Sequence, residues 1–426
     1  MPPFGVRRDA LAQIDLTRVH GELFPRWLLA ESESSGSAVA TAHFAQLRAE
    51  AGKDPNVDAL LLALGRAAAL APGDERAEQL ESLVADWNQY LDAGAAPFRL
   101  ELTVRSIKHR QTLYVKSYRV VSDVAANVGP AACRARFLRR EDHLNVVEPY
   151  LGTTVSREEG AFIVLDRIRE LGEGQVWALL DEGNDARLAP VERPFAASVR
   201  AEAERALPEA AFRSLSRTAV PRSRLVKLRH DVNARSKCGS ELFLPVVPTL
   251  GYGESILVSA RLAVVPAGSP CASLTDDEHT VLVADSSSLA AEPSLPAALD
   301  ALDAWLARAV ATHEVRHAAD GGLEGFATPC PSCPRSLGQV GRAELSAYVT
   351  AFATEGVAFV SVYQACTGAI VGPSRDAVAV LAEAILPEGC AGPPPADLVA
   401  RAGAAEKRWF GRRENVVWTT PPMTPR

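Results

Sequence analysis

Two spacings of apolar residues alternate along the chain. Through the first ninety or so positions the period is helical: Leu80, Leu83, Val84, Trp87 and Leu91 follow the start signal Pro72-Gly73-Asp74. A second apolar, Ala-rich helix is expected from Val57 to Leu70, after Asp54-Pro55. After Gly94 the period changes to two. Phe98, Leu100, Leu102 and Val104 alternate with Arg99, Glu101, Thr103 and Arg105, which predicts a half-buried strand. Leu113 to Val121 is its expected partner across a polar turn at His109–Gln111. Helical spacing returns over Phe162–Leu171 and Phe195–Leu215. Ile256, Val258, Ala260, Leu262 and Val264 alternate again, and Thr280–Ala284 reads as a short apolar strand.

From Pro293 the pattern is helical once more. Ser294 is a plausible cap, and Leu299, Leu302, Leu306, Val310, His313 and His317 recur at intervals of three or four. Gly321-Gly322 stops this helix. A loop rich in Gly, Pro and Cys follows over 321–341, then a second helix from about Arg342 to Gln364. The expected class is α+β without a clean βαβ repeat. Its regions are a helical 1–95, a mixed 96–290, a helix pair within 291–408, and a flexible tail over 409–426. The run from Leu70 to Ala77 resembles the inter-helix turn of a tetratricopeptide repeat, but no second copy follows at a fixed period, so a plain helical region is favoured.

A length of 426 residues suggests two or three domains, and 47% hydrophobic with 23% charged residues is ordinary globular composition. The net charge of −7, with no Lys/Arg-rich run, argues against nucleic acid as a partner. No stretch of about 18 uncharged apolar residues occurs, so no membrane span is expected. The first residues lack the apolar core of a signal peptide. The expected localisation is cytoplasmic if the sequence is complete, and secreted or periplasmic if a leader was removed. Seven cysteines form no disulfide scaffold and leave at least one thiol without an intrachain partner. Oligomeric state is left open.

The chemistry concentrates in His313-Glu314-Val315-Arg316-His317, an H-E-x-x-H. On a helix its two imidazoles share one face a turn apart, as two ligands of one Zn²⁺ must, and the glutamate between them is placed to handle a water. Glu344, twenty-seven positions after His317 near the start of the next helix, is the candidate third ligand. Glu355 and Glu324 are its substitutes. The segment Glu344-Leu345-Ser346-Ala347-Tyr348, taken with the H-E-x-x-H, resembles the gluzincin metallopeptidases over about fifty residues. That resemblance implies a zincin-like catalytic helix pair, zinc held by His313, His317 and Glu344, Glu314 as general base, and a peptide or protein substrate. It also implies an edge strand near the active-site helix, and Thr280–Ala284 or Ile256–Val264 stand where one is expected.

Two positions depart from that pattern. Arg316 stands between the histidines and must find solvent or a carboxylate. Tyr348 stands where many gluzincins carry Asp; its hydroxyl is placed to donate to a developing oxyanion, or the ring simply packs. Asp320 is read either as an acceptor for the His317 ring or as the i+4 partner of Arg316. The metzincin extension is excluded, because Asp320 and Leu323 occupy its Gly and His/Asp positions. Cys330-Pro-Ser-Cys333 is half a zinc knuckle without a second pair, and a local loop staple or free thiols fits it better. Cys366 and Cys390 read as single and distant. His20, His43, His109, His143, His230 and His279 have no ligand spacing, and no G-x-S-x-G or Walker loop occurs. A different class competes with the enzyme reading: a non-catalytic helical interaction or scaffold protein with a metal-free or structural H-E-x-x-H.

Overall fold

The structure, a computed structural model, describes residues 7–107, 110–142, 150–154, 159–235, 275–322, 325–368, 370–411 and 413–419. It falls into two units, Met1–Asp123 with Arg136–Pro149, and Val124–Ala135 with Tyr150–Arg426.

The first unit begins with α1 (Arg8–Leu11), α2 (Leu16–Arg18) and a π-helical turn at Val19–Leu23. It continues through α3 (Phe24–Glu33), α4 (Ala38–Ala51), α5 (Pro55–Ala68) and α6 (Asp74–Ala93). Local chemistry sets the starts: Ser37 accepts from the Ala40 amide to cap α4, and Asp54 accepts from the Asn56 amide to cap α5 behind Pro55. Strand β1 (Phe98–Ile107) pairs antiparallel with β2 (Arg110–Val128), from Phe98 opposite Arg119 to Ile107 opposite Arg110. Phe24, Trp27, Leu61, Leu64, Trp87 and Tyr90 build the core with Leu100, Leu113 and Val115. His20 is wholly buried within it, stacked on Phe98. Its Nδ1 lies 2.8 Å from the Leu16 carbonyl, and the Trp87 indole donates to its Nε2 at 3.1 Å. A carbonyl only accepts and an indole N–H only donates, so the ring is the neutral Nδ1–H tautomer.

The second unit takes the end of β2 and the start of β3 (Ala131–Arg140), then β4 (Gly152–Thr154), β5 (Ala161–Val164) and α7 (Leu165–Leu171). After a π-helical and two 3₁₀ turns come α8 (Arg193–Ala206), α9 (Glu209–Arg235), α10 (Asp276–Ala290) and α11 (Leu295–Ala319). Next are α12 (Gln339–Phe352), α13 (Ala358–Thr367), α14 (Gly372–Ile385), α15 (Leu398–Phe410) and β6 (Val416–Trp418). Strand β6 pairs antiparallel with the end of β2, Ala126 opposite Trp418. Strand β5 lies between β3 and β4, pairs antiparallel with β4, and leaves β4 as the outer strand. Helices and strands are thus mixed, in agreement with α+β. Helix α11 packs against α9, α12, β4 and β5, and is buried on nearly every face.

Several segments differ from expectation. Thr280–Ala284 lies inside α10, whose start is a capping box between Thr275 and Glu278. Of the stretch Phe162–Leu171, residues up to Val164 are strand and only the rest is helix. The expected helix Arg342–Gln364 is two, α12 and α13, separated at a turn where Gly356 takes φ +79°. Within the expected tail, Val416–Trp418 are strand. The Ile256–Val264 strand, Glu324, His109 and His143 lie outside the described residues.

Candidate metal centre

Helix α11 extends its inward stripe to its last turn, which carries His313 and His317 side by side. Helix α12 folds back against it and brings Glu344 from its second turn. The His313 and His317 Nε2 atoms are 3.1 Å apart, and the same Glu344 carboxylate oxygen lies 3.5 Å from the first and 3.7 Å from the second. Among the described residues this is the one group of three or more such side chains close enough to share an ion. Glu355 is exposed, beyond the end of α12.

These distances can be tested against a zinc ion. Ligand atoms at about 2.0–2.2 Å from a tetrahedral centre are separated by roughly 3.3–3.6 Å. The three observed separations straddle that interval. At 3.1 Å the two Nε2 atoms either share a proton, one ring donating to the other, or bind a common cation. His₂Glu also leaves a fourth position open, the arrangement of a catalytic rather than a structural site.

The electrostatics are those of a preformed anionic cradle. Burial works against charge on Glu344, but the two histidines outweigh it and hold the carboxyl far below the usual carboxylate range. Burial would lower His313, yet the hydrogen bond it donates to Glu344 and the charge of Glu314 leave it raised. Tyr348 packs edge-on to His313 with ring centroids 4.5 Å apart. Burial pushes its phenol strongly up, and Glu344 and Glu314 push the same way, so its O–H stays a donor.

No family model, curated protein or solved structure matches this chain.

The carboxylate of Glu314 faces β4. Thr154 Oγ1 lies 2.9 Å from Glu314 Oε2 and 2.8 Å from the Glu314 carbonyl, so the hydroxyl grips side chain and backbone of one residue. Gly152, two residues earlier, lies directly against it: a Cβ there would be 2.8 Å from Glu314 Cγ. Neither residue carries a sequence signal. Strand β4 is three residues long, too short to show alternation, and the strands expected to fill its place are helical or outside the described residues.

Of the two readings of Asp320, the structure has the pairing with Arg316 at i+4, 4.0 Å away, and not the one with His317. Arg316 is buried and donates to Thr350 Oγ1 at 3.1 Å and to the Glu414 carbonyl at 2.7 Å. Burial, and then the nearby Arg413, pull its guanidinium down to about 10. Asp320 does not serve the His317 ring, whose Nδ1 is buried without a partner among the described residues. It instead accepts from Thr328 at 2.9 Å, from Arg413 at 3.0 Å and from Ser346, and stands 4.0 Å from Arg316. Ser346 is two residues after Glu344, so one carboxylate ties the end of the histidine helix to the helix of the third ligand.

Proposed function

We propose that this protein is a zinc-dependent metallopeptidase of gluzincin type, with α11 and α12 as its catalytic helix pair. The observation that carries this reading is the convergence of His313, His317 and Glu344 at the edge lengths of a zinc tetrahedron. When bound, zinc supplies a Lewis acid that polarises a carbonyl and brings the ionisation of water towards a pH of about 7. Glu314 takes the proton of the attacking water and returns it to the leaving nitrogen. Thr154 keeps the Glu314 carboxylate in one orientation while it does so. Tyr348, held protonated, donates to the oxygen on which negative charge develops. The outer strand β4, alongside Glu314, offers the edge that is unpaired among the described residues to an extended peptide, which adds as a further strand.

The test joins metal analysis to cleavage. Purified protein is expected to carry one zinc per chain by mass spectrometry and to cut peptides from a mixed library. Glu314→Gln is expected to retain the zinc and lose cleavage by a factor of about 10² or more. A protein free of zinc, whose melting temperature is unchanged by a chelator, would sink the reading.

A further inference from the structure

Two disulfides are formed among the described residues, and they are built for different purposes. Cys366–Cys390 spans 24 positions and ties the end of α13 to the 3₁₀ turn after α14. Cys330–Cys333 spans three. The chain entropy removed by a cross-link grows with the loop it closes, so the short bridge contributes much less to holding the fold. Its surroundings point elsewhere. Cys330 is half-buried at the wall of a cavity of about 380 Å³ formed with Phe326, Thr328, Pro329, Leu337 and Arg342. Cys333 is only 9% exposed. The two cysteines are therefore unequal: Cys330 lines the cavity and Cys333 does not. The Arg342 guanidinium, fixed at the wall by a 3.1 Å bond from its Nε to the Leu337 carbonyl, draws an approaching thiolate to Cys330.

We propose that Cys330–Cys333 is a thiol–disulfide exchange site for a low-molecular-weight thiol that enters this cavity. The thiolate attacks Cys330 Sγ; the Cys330–Cys333 bond breaks, and Cys333 leaves as a thiolate that takes up a proton. A second thiol molecule then attacks the external sulfur of the mixed disulfide. It releases Cys330 as a thiol and departs as the oxidised, disulfide-linked dimer of the small thiol. Two electrons pass to the protein from two thiols. The same steps in reverse reoxidise the pair with a small disulfide. This site is independent of the peptidase reading and stands or falls without it.

The full-length protein under native conditions provides the test, with glutathione as the probe, acid quenching, alkylation of thiols and peptide mapping by mass spectrometry. Cys330–Cys333 is expected to open at least about tenfold faster than Cys366–Cys390, because access and not only thiol strength governs the rate. With oxidised glutathione, Cys333→Ser is expected to take up one glutathione on Cys330, whereas Cys330→Ser leaves Cys333 unmodified. Buried Cys133 serves as an internal control in both. Equal opening rates for the two disulfides, opening only in denaturant, or equal labelling of Cys330 and Cys333 would each overturn the proposal. The wild-type rate comparison needs no substitution, so it decides the matter even if a variant folds poorly.

Discussion

At Gly152 the backbone of β4 approaches α11 so closely that a Cβ would sit 2.8 Å from Glu314 Cγ and 2.8 Å from Val310 Cγ1. Both contacts are far inside van der Waals range, and one of the two atoms belongs to the side chain expected to move the proton. Gly152→Ala is therefore expected to cost about 1–3 kcal/mol in chemical denaturation. It should also reduce peptide cleavage sharply while bound zinc, measured on the same sample, stays near one per chain. Loss of zinc in step with cleavage would show that the effect is general misfolding. That His313 and His317 come together was legible because two histidines continued an apolar helical stripe, a placement that costs burial without a partner. Glu344 was legible from its distance along the chain to the next helix. Gly152 and Thr154 were not, because a glycine and a threonine in a short polar segment look the same whether or not a helix lies against them.

Between elements, the joint that matters is Asp320, where α11, α12, the connecting loop and the C-terminal segment meet. Its carboxylate accepts from Ser346, Thr328 and Arg413 and faces Arg316, all largely shielded from solvent. Removing it leaves two buried guanidinium groups beside each other with Glu406 as the remaining carboxylate near both. Asp320→Ala is expected to lower stability by about 3–5 kcal/mol, the range for a broken buried pair, and to weaken zinc binding by about 10–100-fold through displaced ligands. Denaturant titration and a competitive zinc chelator measure the two effects separately. Undisturbed zinc affinity would show that α12 holds Glu344 without this joint. Local signals for elements were uneven. The Thr275-x-x-Glu278 box announces α10, yet the apolar run inside that helix imitates a strand. Gly356 marks the end of α12, but continuous helical periodicity on both sides of it hides the break. Arg413 and Glu414 sit in a stretch that composition alone assigns to a tail, and their role depends on side chains some hundred residues earlier.

For the molecule as a whole, pH acts through a group remote in sequence from the metal cluster. Burial depresses His20 from its ordinary 6.5 to about 4, with the Leu16 carbonyl opposing. The folded state holds the neutral ring, and a proton on Nε2 would confront the Trp87 indole N–H. The unfolded chain takes up that proton first. The stabilising contribution is therefore complete above pH 6.5 and is lost as the pH falls from 6.5 towards 4, to a total of about 3 kcal/mol. Tryptophan fluorescence during denaturation across this range should show the slope. His20→Gln, which keeps a donor and an acceptor but takes up no proton, should flatten it. An unchanged slope in that variant would place the acid sensitivity elsewhere.

The pairing of β6 with the end of β2 has a consequence for how the protein is made. The Thr419 hydroxyl and amide reach the Ala125 carbonyl across 294 positions of chain. Arg316 depends on the Glu414 carbonyl just before that strand. On a ribosome, the hairpin tip at 124–135 emerges early and waits for β6, nearly three hundred positions later. Contacts of such long range form late and slowly. A nascent chain halted between Glu344 and Glu414 would thus hold both histidines and Glu344 yet lack the carbonyl that Arg316 needs. On the proposed peptidase function, a chain cut short before Glu414 is expected to show no peptide cleavage in the assay that detects it for the intact protein.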